Sequence, residues 1–205
     1  MSGWLTLIAL GGTMGGADIC LAQGTAQKPK TTNKAPVSKE SAIRRAQPAD
    51  VKELPAEFVE KLNARQCTIP QFDSGENAEG VAAEPNNMIH GEFIRRGQED
   101  WAVLCSNGRT STLVIFWGRT TACPASLARL DDAHYLKAGK DKKVHYSRSI
   151  RTLGENGLDD RAGLAGLRPL KHEGIDDRFV GKSSAFFYCD AGKWRIFPAK
   201  ESSSQ

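Results

Sequence analysis

The sequence predicts an α+β fold, in which an antiparallel sheet built from two hairpins plus a further strand is joined by a few short helices and two disulfides. Three observations lead to this prediction. Several short segments alternate apolar and polar residues, which is typical of strands. Asn107-Gly108 and Asp190-Ala191-Gly192 each separate two such segments and have the composition of tight turns. The predicted folded region also contains an even number of cysteines, namely Cys67, Cys105, Cys123 and Cys189.

Residues 1–22 have the features of a secretory signal peptide. An apolar run, Trp4–Leu10, is followed by a glycine-rich stretch that ends in Cys20-Leu21-Ala22, where small residues fit cleavage after Ala22. One alternative is an uncleaved membrane anchor, for which Asp18 and the glycines are poorly suited. Another is a lipoprotein signal acylated at Cys20, although Ile19 is larger than that processing requires. We therefore expect a periplasmic or secreted protein with no stable membrane span after cleavage, whose four remaining cysteines meet an oxidising compartment.

Residues 23–50 are predicted to form a disordered basic linker. They contain six basic and two acidic residues but almost no large apolar ones, so they cannot bury enough surface to offset the entropy of ordering. Residues 51–205, predicted to form a single α+β domain, have a net charge of only +1. Because nucleic-acid binding needs a basic face on the folded part, we expect no nucleic-acid partner. The expected partner is an unknown protein or a polymer of the cell envelope.

The first half of the domain is predicted to contain one helix and three strands. Pro55 suits the first turn of a helix over Leu54–Asn63, and Leu54, Phe58 and Leu62 lie on one face of it. An extended Cys67–Pro70 and a polar loop over residues 72–87 come next. Three strands follow, with a hairpin between the last two: Met88–Ile94, Trp101–Ser106 and Ser111–Trp117.

The central predicted strand is apolar on both faces. Alternation places Trp101, Val103 and Cys105 on one face and Ala102 and Leu104 on the other. We therefore expect the sheet to be covered on both sides, by helices or by a partner.

The second half is predicted to contain a helix, a strand and a hairpin. The spacing of Leu127, Leu130 and Ala133 predicts a helix over Pro124–Leu136. Alternation predicts a strand over Val144–Leu153, and residues 154–174 are predicted to form a long loop with one helical turn. The second hairpin pairs Ser183–Cys189 with Trp194–Phe197. The aromatic residues of these strands are interpreted mainly as core, with a sugar- or peptide-binding face as the alternative.

Residues Gly91–Leu104 resemble the FG-GAP blade motif of integrin-type β-propellers. The resemblance implies a strand, a tight turn at Gly97 and a second strand whose start is held by Asp100. The calcium ligands of the motif do not carry over, because Ile94 and Arg96 occupy the places where it supplies oxygens. We therefore expect no metal and no other cofactor. A fainter version of the pattern covers His172–Gly181, and too few repeats are present to predict a propeller.

Three short segments are also similar to exported bacterial proteins of unassigned function. They are Gln66–Gln71, Asp100–Ser106 and Gly174–Gly181. This resemblance implies a compartment and no catalytic activity.

The weak catalytic candidates are His172, Asp176 and Asp177 in a glycine-flanked loop, with a second acidic pair at Asp159-Asp160. A histidine beside clustered carboxylates can bind a divalent cation or act as an acid/base pair. The alternative is structural, because Asp in glycine-rich loops caps helices and closes turns. The arginine that directly follows each acidic pair can balance its charge without a metal. We favour the structural interpretation.

Four cysteines allow three pairings, among which the sequence does not decide. Our preference is Cys67–Cys105 with Cys123–Cys189, which ties the first extended segment to the central strand and the loop after Trp117 to the last hairpin.

Two classes of function stay open. The first is a non-enzymatic binding or envelope-interaction protein, favoured because no nucleophile motif is present. The second is a hydrolase or metal-dependent enzyme using the loop of His172, Asp176 and Asp177. A concave pocket with converging carboxylates would indicate the enzyme, whereas a flat or grooved apolar patch of several hundred Å² would indicate binding.

Overall fold

Two four-stranded antiparallel sheets make up most of the fold. The computed structural model describes residues 43–73, 85–139, 142–158, 161 and 163–200. Within these residues there is one α-helix, α1 (Ala56–Ala64), and the strands in chain order are β1 (Arg45–Ala46), β2 (Ile69–Pro70), β3 (Met88–Gly91), β4 (Asp100–Ser106), β5 (Thr110–Phe116), β6 (Ser126–Asp131), β7 (Leu136–Ala138), β8 (Val144–Tyr146), β9 (Arg148–Leu153), β10 (Gly174–Phe179), β11 (Ser183–Asp190) and β12 (Lys193–Lys200).

The strand order is β3-β4-β5-β6 in the first sheet and β12-β11-β10-β9 in the second. Two short pairs, β1 with β2 and β7 with β8, are also antiparallel. The predicted fold class is therefore confirmed in its coarser form, as a β-rich antiparallel fold with one helix. The single sheet that we predicted is in fact two.

The first sheet is covered on both faces, as the pattern of β4 predicts. On one face, Val103 and Val114 pack against Phe58 and Leu62 of α1. The ring of Phe58 also stacks on Phe116, with centroids 4.5 Å apart. On the other face, a second cluster joins the first sheet to the second: Ala102, Leu104, Leu113, Ile115, Ile150, Ile175 and Phe187. The helix thus supplies one cover and the second sheet supplies the other.

The outer face of the second sheet is covered by the segment before β10. Phe186 and Phe197 pack against Leu164 and Leu170 there. This is the loop predicted over residues 154–174, and its described part contains two short 3-10 turns, Glu155–Gly157 and Leu164–Leu167.

The predicted helix and both predicted hairpins are confirmed. Helix α1 begins two residues later than predicted and buries Phe58 and Leu62. The β4–β5 turn contains Gly108 at φ +102° and the β11–β12 turn contains Gly192 at φ +80°, a backbone region that favours glycine. The predicted strand Val144–Leu153 is present as two strands, β8 and β9.

The predicted helix over Pro124–Leu136 is wrong. Strand β6 lies there, followed by a 3-10 turn at Asp132–Tyr135. The register pairs Leu127 with Leu113 and Leu130 with Ser111, so two residues of β6 oppose one residue of β5. This β-bulge places two leucines that are three residues apart on the same side of a strand, and three-residue spacing was the basis of the helical prediction.

The glycine-flanked loop predicted around Asp176 and Asp177 is also wrong, because both residues lie inside β10, between β9 and β11. Charged residues are rare in a central strand unless they are paired, which explains why the pattern did not predict one. The structure also includes residues 43–50, which we assigned to the linker. Ile43 is buried and Arg45–Ala46 pairs with β2.

Several predictions lie outside the described residues. They concern the signal peptide, the linker up to residue 42, residues 74–84 of the polar loop and the pair Asp159-Asp160. In the part of the chain that is described, no helix has the length and apolar character needed to cross a membrane.

Candidate binding groove

One pair of sheet edges, β3 and β9, is joined by side chains. The Asn87 amide donates from Nδ2 to the carbonyl of Arg148 at 3.0 Å and accepts at Oδ1 from the amide of Ile150 at 3.1 Å. The hydroxyl of Thr152 donates to the carbonyl of His90 at 2.8 Å. These bonds satisfy backbone groups of both strands. We call this side of the molecule the closed edge.

The opposite pair of sheet edges, β6 and β12, is separated by a groove with a volume of about 660 Å³. Its walls are largely apolar and are formed by side chains of the two facing strands: Leu127, Ala128 and Leu130 of β6, and Trp194, Ile196 and Pro198 of β12. We call it the edge groove.

The large hydrophobic side chains that are exposed within the described residues both line the edge groove. Leu130 is 43% exposed and Ile196 is 59% exposed. Because exposing apolar surface to water is unfavourable, a concentration of it in a concave site is typical of a binding site.

A buried ion pair lies at the floor of the edge groove. The guanidinium of Arg148 makes two bonds to the Asp177 carboxylate, at 2.9 and 2.7 Å, and donates to Ser111 Oγ at 2.6 Å and to the carbonyl of Ala128 at 2.8 Å. Burial opposes the charge on this guanidinium, but the hydrogen bonds and charge of Asp177 outweigh burial and raise the pKa of Arg148 above its ordinary value. The carboxylate that lines the groove is therefore neutralised by a permanent cation.

Two buried tyrosines extend this polar network. The Tyr146 hydroxyl lies 3.2 Å from both Ser111 Oγ and Asp132 Oδ1, and Arg45 donates to Asp132 at 3.1 Å. Burial raises the pKa of Tyr135 to about 12, and burial together with the charge of Asp132 raises the pKa of Tyr146 as well. Both phenols therefore keep their protons at neutral pH. The Tyr146 hydroxyl forms hydrogen bonds in the core, whereas the Tyr135 ring lies 4.8 Å from the Arg148 guanidinium.

The structure does not bring the three catalytic candidates together. His172 is buried, with Nδ1 2.7 Å from the carbonyl oxygen of Glu173 and Nε2 3.0 Å from that of Cys189. Its ring stacks on Tyr188 at a centroid distance of 4.2 Å. Since both ring nitrogens face backbone carbonyls, neither is available to a metal or a substrate.

The two aspartates of β10 point to opposite faces of the second sheet, because side chains alternate along a strand. Asp177 faces the edge groove, whereas Asp176 is buried on the other face of the sheet, 2.9 Å from Nε of Arg151 and 3.1 Å from Nη2 of Arg161. Arg161 follows the Asp159-Asp160 pair in sequence, but its described carboxylate partner is Asp176. Among the described residues, no group of three or more His, Cys, Asp or Glu side chains could hold a metal ion.

The disulfides follow the pairing preferred from the sequence. Cys67 and Cys105 are joined on the α1 side of the first sheet, with Cα atoms 5.2 Å apart. Cys123 and Cys189 are joined next to the edge groove, with Cα atoms 6.0 Å apart. Close to the second disulfide, the indole of Trp194 donates to the carbonyl of Pro124 at 2.8 Å. One end of the edge groove is therefore clamped.

Asp100 lies at the start of β4. Its buried carboxylate accepts from the amides of Phe93 at 3.2 Å and Gly118 at 2.9 Å, and from the Gln98 side chain at 2.7 Å. Three protein donors thus surround this carboxylate, and they hold the turn between β3 and β4.

Sequence patterns missed the edge groove. The alternation of Trp194, Ile196 and Pro198 along β12 was a usable signal, but we interpreted strand aromatics mainly as core. Leu130 was assigned to a helix, so its position opposite β12 could not be seen. Comparison with protein-family models, curated proteins and solved structures found no match to this chain.

Proposed function

We propose that this chain is an exported, non-enzymatic binding protein that holds an apolar ligand in the edge groove. The observation that carries the proposal is the position of Leu130 and Ile196, whose exposed side chains face a concave site instead of being scattered over the surface. A volume of about 660 Å³ is within the range of ligand pockets, which are mostly apolar and largely pre-formed.

The surroundings of the candidate catalytic residues favour binding over catalysis. A general acid or base needs a titratable group that can reach the substrate. Asp177 is held by two bonds from Arg148, and the ring nitrogens of His172 face backbone carbonyls. A ligand in the edge groove would therefore meet apolar walls and a neutralised ion pair.

Export is part of the proposal, and it is supported by the two disulfides and by the signal-like residues 1–22. Protein isolated from its native host should begin at Gln23 and should contain both disulfides in non-reducing peptide maps. An intact Met1 terminus in a cytoplasmic fraction would contradict export.

Binding of the neutral apolar dye Nile red tests the function of the edge groove. The double variant Leu130→Glu, Ile196→Glu should bind the dye about tenfold more weakly or worse, because each carboxylate must be desolvated by the ligand. Both positions are exposed, so its unfolding midpoint should stay close to that of the parent chain.

The matched control is Ala64→Glu, which adds the same side chain on α1, across the first sheet from the groove. This variant should bind Nile red as the parent does. Equal dye binding by the double variant and the control would refute the proposed function.

A further inference from the structure

The two ends of the edge groove differ. At the Trp194 end, the Cys123–Cys189 disulfide and the bond to the Pro124 carbonyl hold the strands together. At the other end lies Phe179, whose ring centroid is 5.5 Å from that of His134. Among the described residues, no disulfide joins the strands at the Phe179 end.

Cationic side chains surround the Phe179 end. The ammonium of Lys182 lies 4.3 Å from the centroid of the Phe179 ring, and the exposed Arg129 lines the groove. Lys137 reaches the turn next to Lys182, where its ammonium is 3.0 Å from the position that a Cβ on Gly181 would occupy. These residues concentrate positive charge at the Phe179 end of the edge groove.

Few carboxylates balance this charge. Within the described residues, no carboxylate lies at ion-pair distance from Arg129 or Lys182. Asp177 lines the groove but is neutralised by Arg148. Asp131, which is near in sequence, accepts from the amide of Ala133.

The strands on either side offer a peptide little opportunity to pair. The bulge in β6 includes Ala128 at φ +53°, and the Ala128 carbonyl is already bound by Arg148. Strand β12 contains Pro198, which has no N–H to donate. Bulges and prolines are the devices by which sheets prevent strand addition. Recognition in the groove must therefore rely on its apolar side chains.

The length of the groove suits an extended apolar chain. The six residues of β12 from Trp194 to Ala199 span about 20 Å, and apolar side chains follow one face of this length. Every methylene group that leaves water along such a wall adds to the affinity. A carboxylate at the end of the chain would meet arginine and lysine donors, which form charge-assisted hydrogen bonds with it.

We propose that the edge groove binds a monomeric single-chain amphiphile with an anionic head, of the long-chain carboxylate type, with the chain along β12 and the head among Arg129, Lys137 and Lys182. This inference rests on the proposed function, since it names the class of apolar ligand. On this inference the groove discriminates against cationic amphiphiles, which a groove without charged residues would bind as well as anionic ones.

Displacement of Nile red by two amphiphiles of equal chain length tests the inference. Dodecanoate is anionic and dodecyltrimethylammonium is cationic, and both are used below the concentrations at which they form micelles. Dodecanoate should bind about tenfold more tightly or better, and added salt should reduce the difference because screening weakens attraction between exposed charges.

The double variant Lys137→Glu, Lys182→Glu should lose the preference for dodecanoate but keep its affinity for Nile red, because these two exposed side chains lie beside the groove and do not line it. The matched control is Lys52→Glu, Arg65→Glu, which makes the same charge change at exposed positions flanking α1 and should keep the preference. A preference that survives in the first variant would refute the placement of the head.

Other outcomes would overturn the inference without touching the proposed function. Equal displacement of Nile red by the two amphiphiles would contradict a preference for an anionic head. Nile red binding that neither amphiphile displaces would exclude a single-chain ligand. Binding to phosphatidylglycerol vesicles but not to monomeric dodecanoate would mean that the ligand is a membrane surface and not a monomeric amphiphile. The binding role itself is contradicted when Nile red binding does not depend on Leu130 and Ile196.

Discussion

The closed edge and the edge groove are the two places where the edges of the sheets face each other, and they are built in opposite ways. At the closed edge, Asn87 and Thr152 bond to backbone groups across the gap. At the edge groove, Leu130 of β6 and Ile196 of β12 line the gap between the two strands and remain exposed. At the Trp194 end, a clamp formed by the Cys123–Cys189 disulfide and the bond from the Trp194 indole to the Pro124 carbonyl holds the strands together. The closed edge is instead joined by side-chain hydrogen bonds.

The difference follows from what the backbone of an edge strand requires. Buried N–H and C=O groups must find partners, and polar side chains at the closed edge supply them. The close approach also needs Gly91, where a Cβ would lie 2.8 Å from Thr152 Cγ2 and from Glu173 Oε2. At the edge groove, Arg148 and Trp194 bond to the carbonyls of Ala128 and Pro124, but apolar side chains line the gap between β6 and β12, where a ligand can contact them. The closed edge thus holds the two sheets together, and the edge groove on the opposite side is the place where a ligand can bind.

Removal of the clamp should give the largest effect. The double variant Cys123→Ser, Cys189→Ser opens a loop with a sequence separation of 66 residues, and its free energy of unfolding should fall by about 4 kcal/mol on the chain-entropy model. Urea denaturation measures this loss. The variant should also bind Nile red more weakly, because the strands beside the groove are no longer held together.

The other disulfide is the control for the clamp. Cys67 and Cys105 are separated by 38 residues, so Cys67→Ser, Cys105→Ser should lose about the same free energy of unfolding. This disulfide lies on the α1 side of the first sheet, so its removal should leave dye binding by the folded protein unchanged. Equal loss of dye binding in both variants would show that the clamp does not shape the groove.

The next largest effect should come from the closed edge. Asn87→Ala removes the acceptor for the Ile150 amide and the donor to the carbonyls of Pro70 and Arg148. Each buried group left without a partner costs about 1–3 kcal/mol, so urea denaturation should show a loss of about 3 kcal/mol. Nile red binding by the folded variant should not change.

Two variants separate the causes of that loss. Asn87 has φ +64°, so Asn87→Gly removes the same bonds without backbone strain and should lose most of the same free energy. Asn107→Ala removes a bond to Thr110 in an exposed turn and should change stability by only about 0.5 kcal/mol. Similar losses for Asn87→Ala and Asn107→Ala would mean that the closed edge does not depend on its side-chain bonds.

The smallest effect should come from the hydrogen bond at the clamped end. Trp194→Phe keeps an aromatic ring but removes the donor to the Pro124 carbonyl, and should lower the free energy of unfolding by about 1 kcal/mol. Trp117→Phe is a matched contraction of the ring that stacks on Trp194 at 6.0 Å. The Trp117 indole nitrogen is buried without a partner in the described part of the chain, so this variant should lose less. The reverse order would contradict the role of the bond.

The local parts of the fold could be predicted because neighbouring residues determine them. Leu54, Phe58 and Leu62 indicate α1 by helical spacing, and Asn107-Gly108 indicates the β4–β5 turn. The alternation in β4 predicts a sheet covered on both faces, which the two clusters of buried residues confirm. Within β10, however, Asp176 and Asp177 indicated a loop, because their arginine partners come from other parts of the chain.

By itself, the sequence determined helix α1, the two hairpins and the covered faces of β4, because these depend on spacing and turn chemistry within a few residues. Tertiary structure alone decided which strands meet. It gave β6 its bulge through the register with β5, it buried Asp177 against Arg148, and it brought the exposed Leu130 and Ile196 to one groove. The physical reason is that a groove lies between strands distant in the chain, and no local pattern records whether polar side chains across a gap will close it or apolar ones will leave it open.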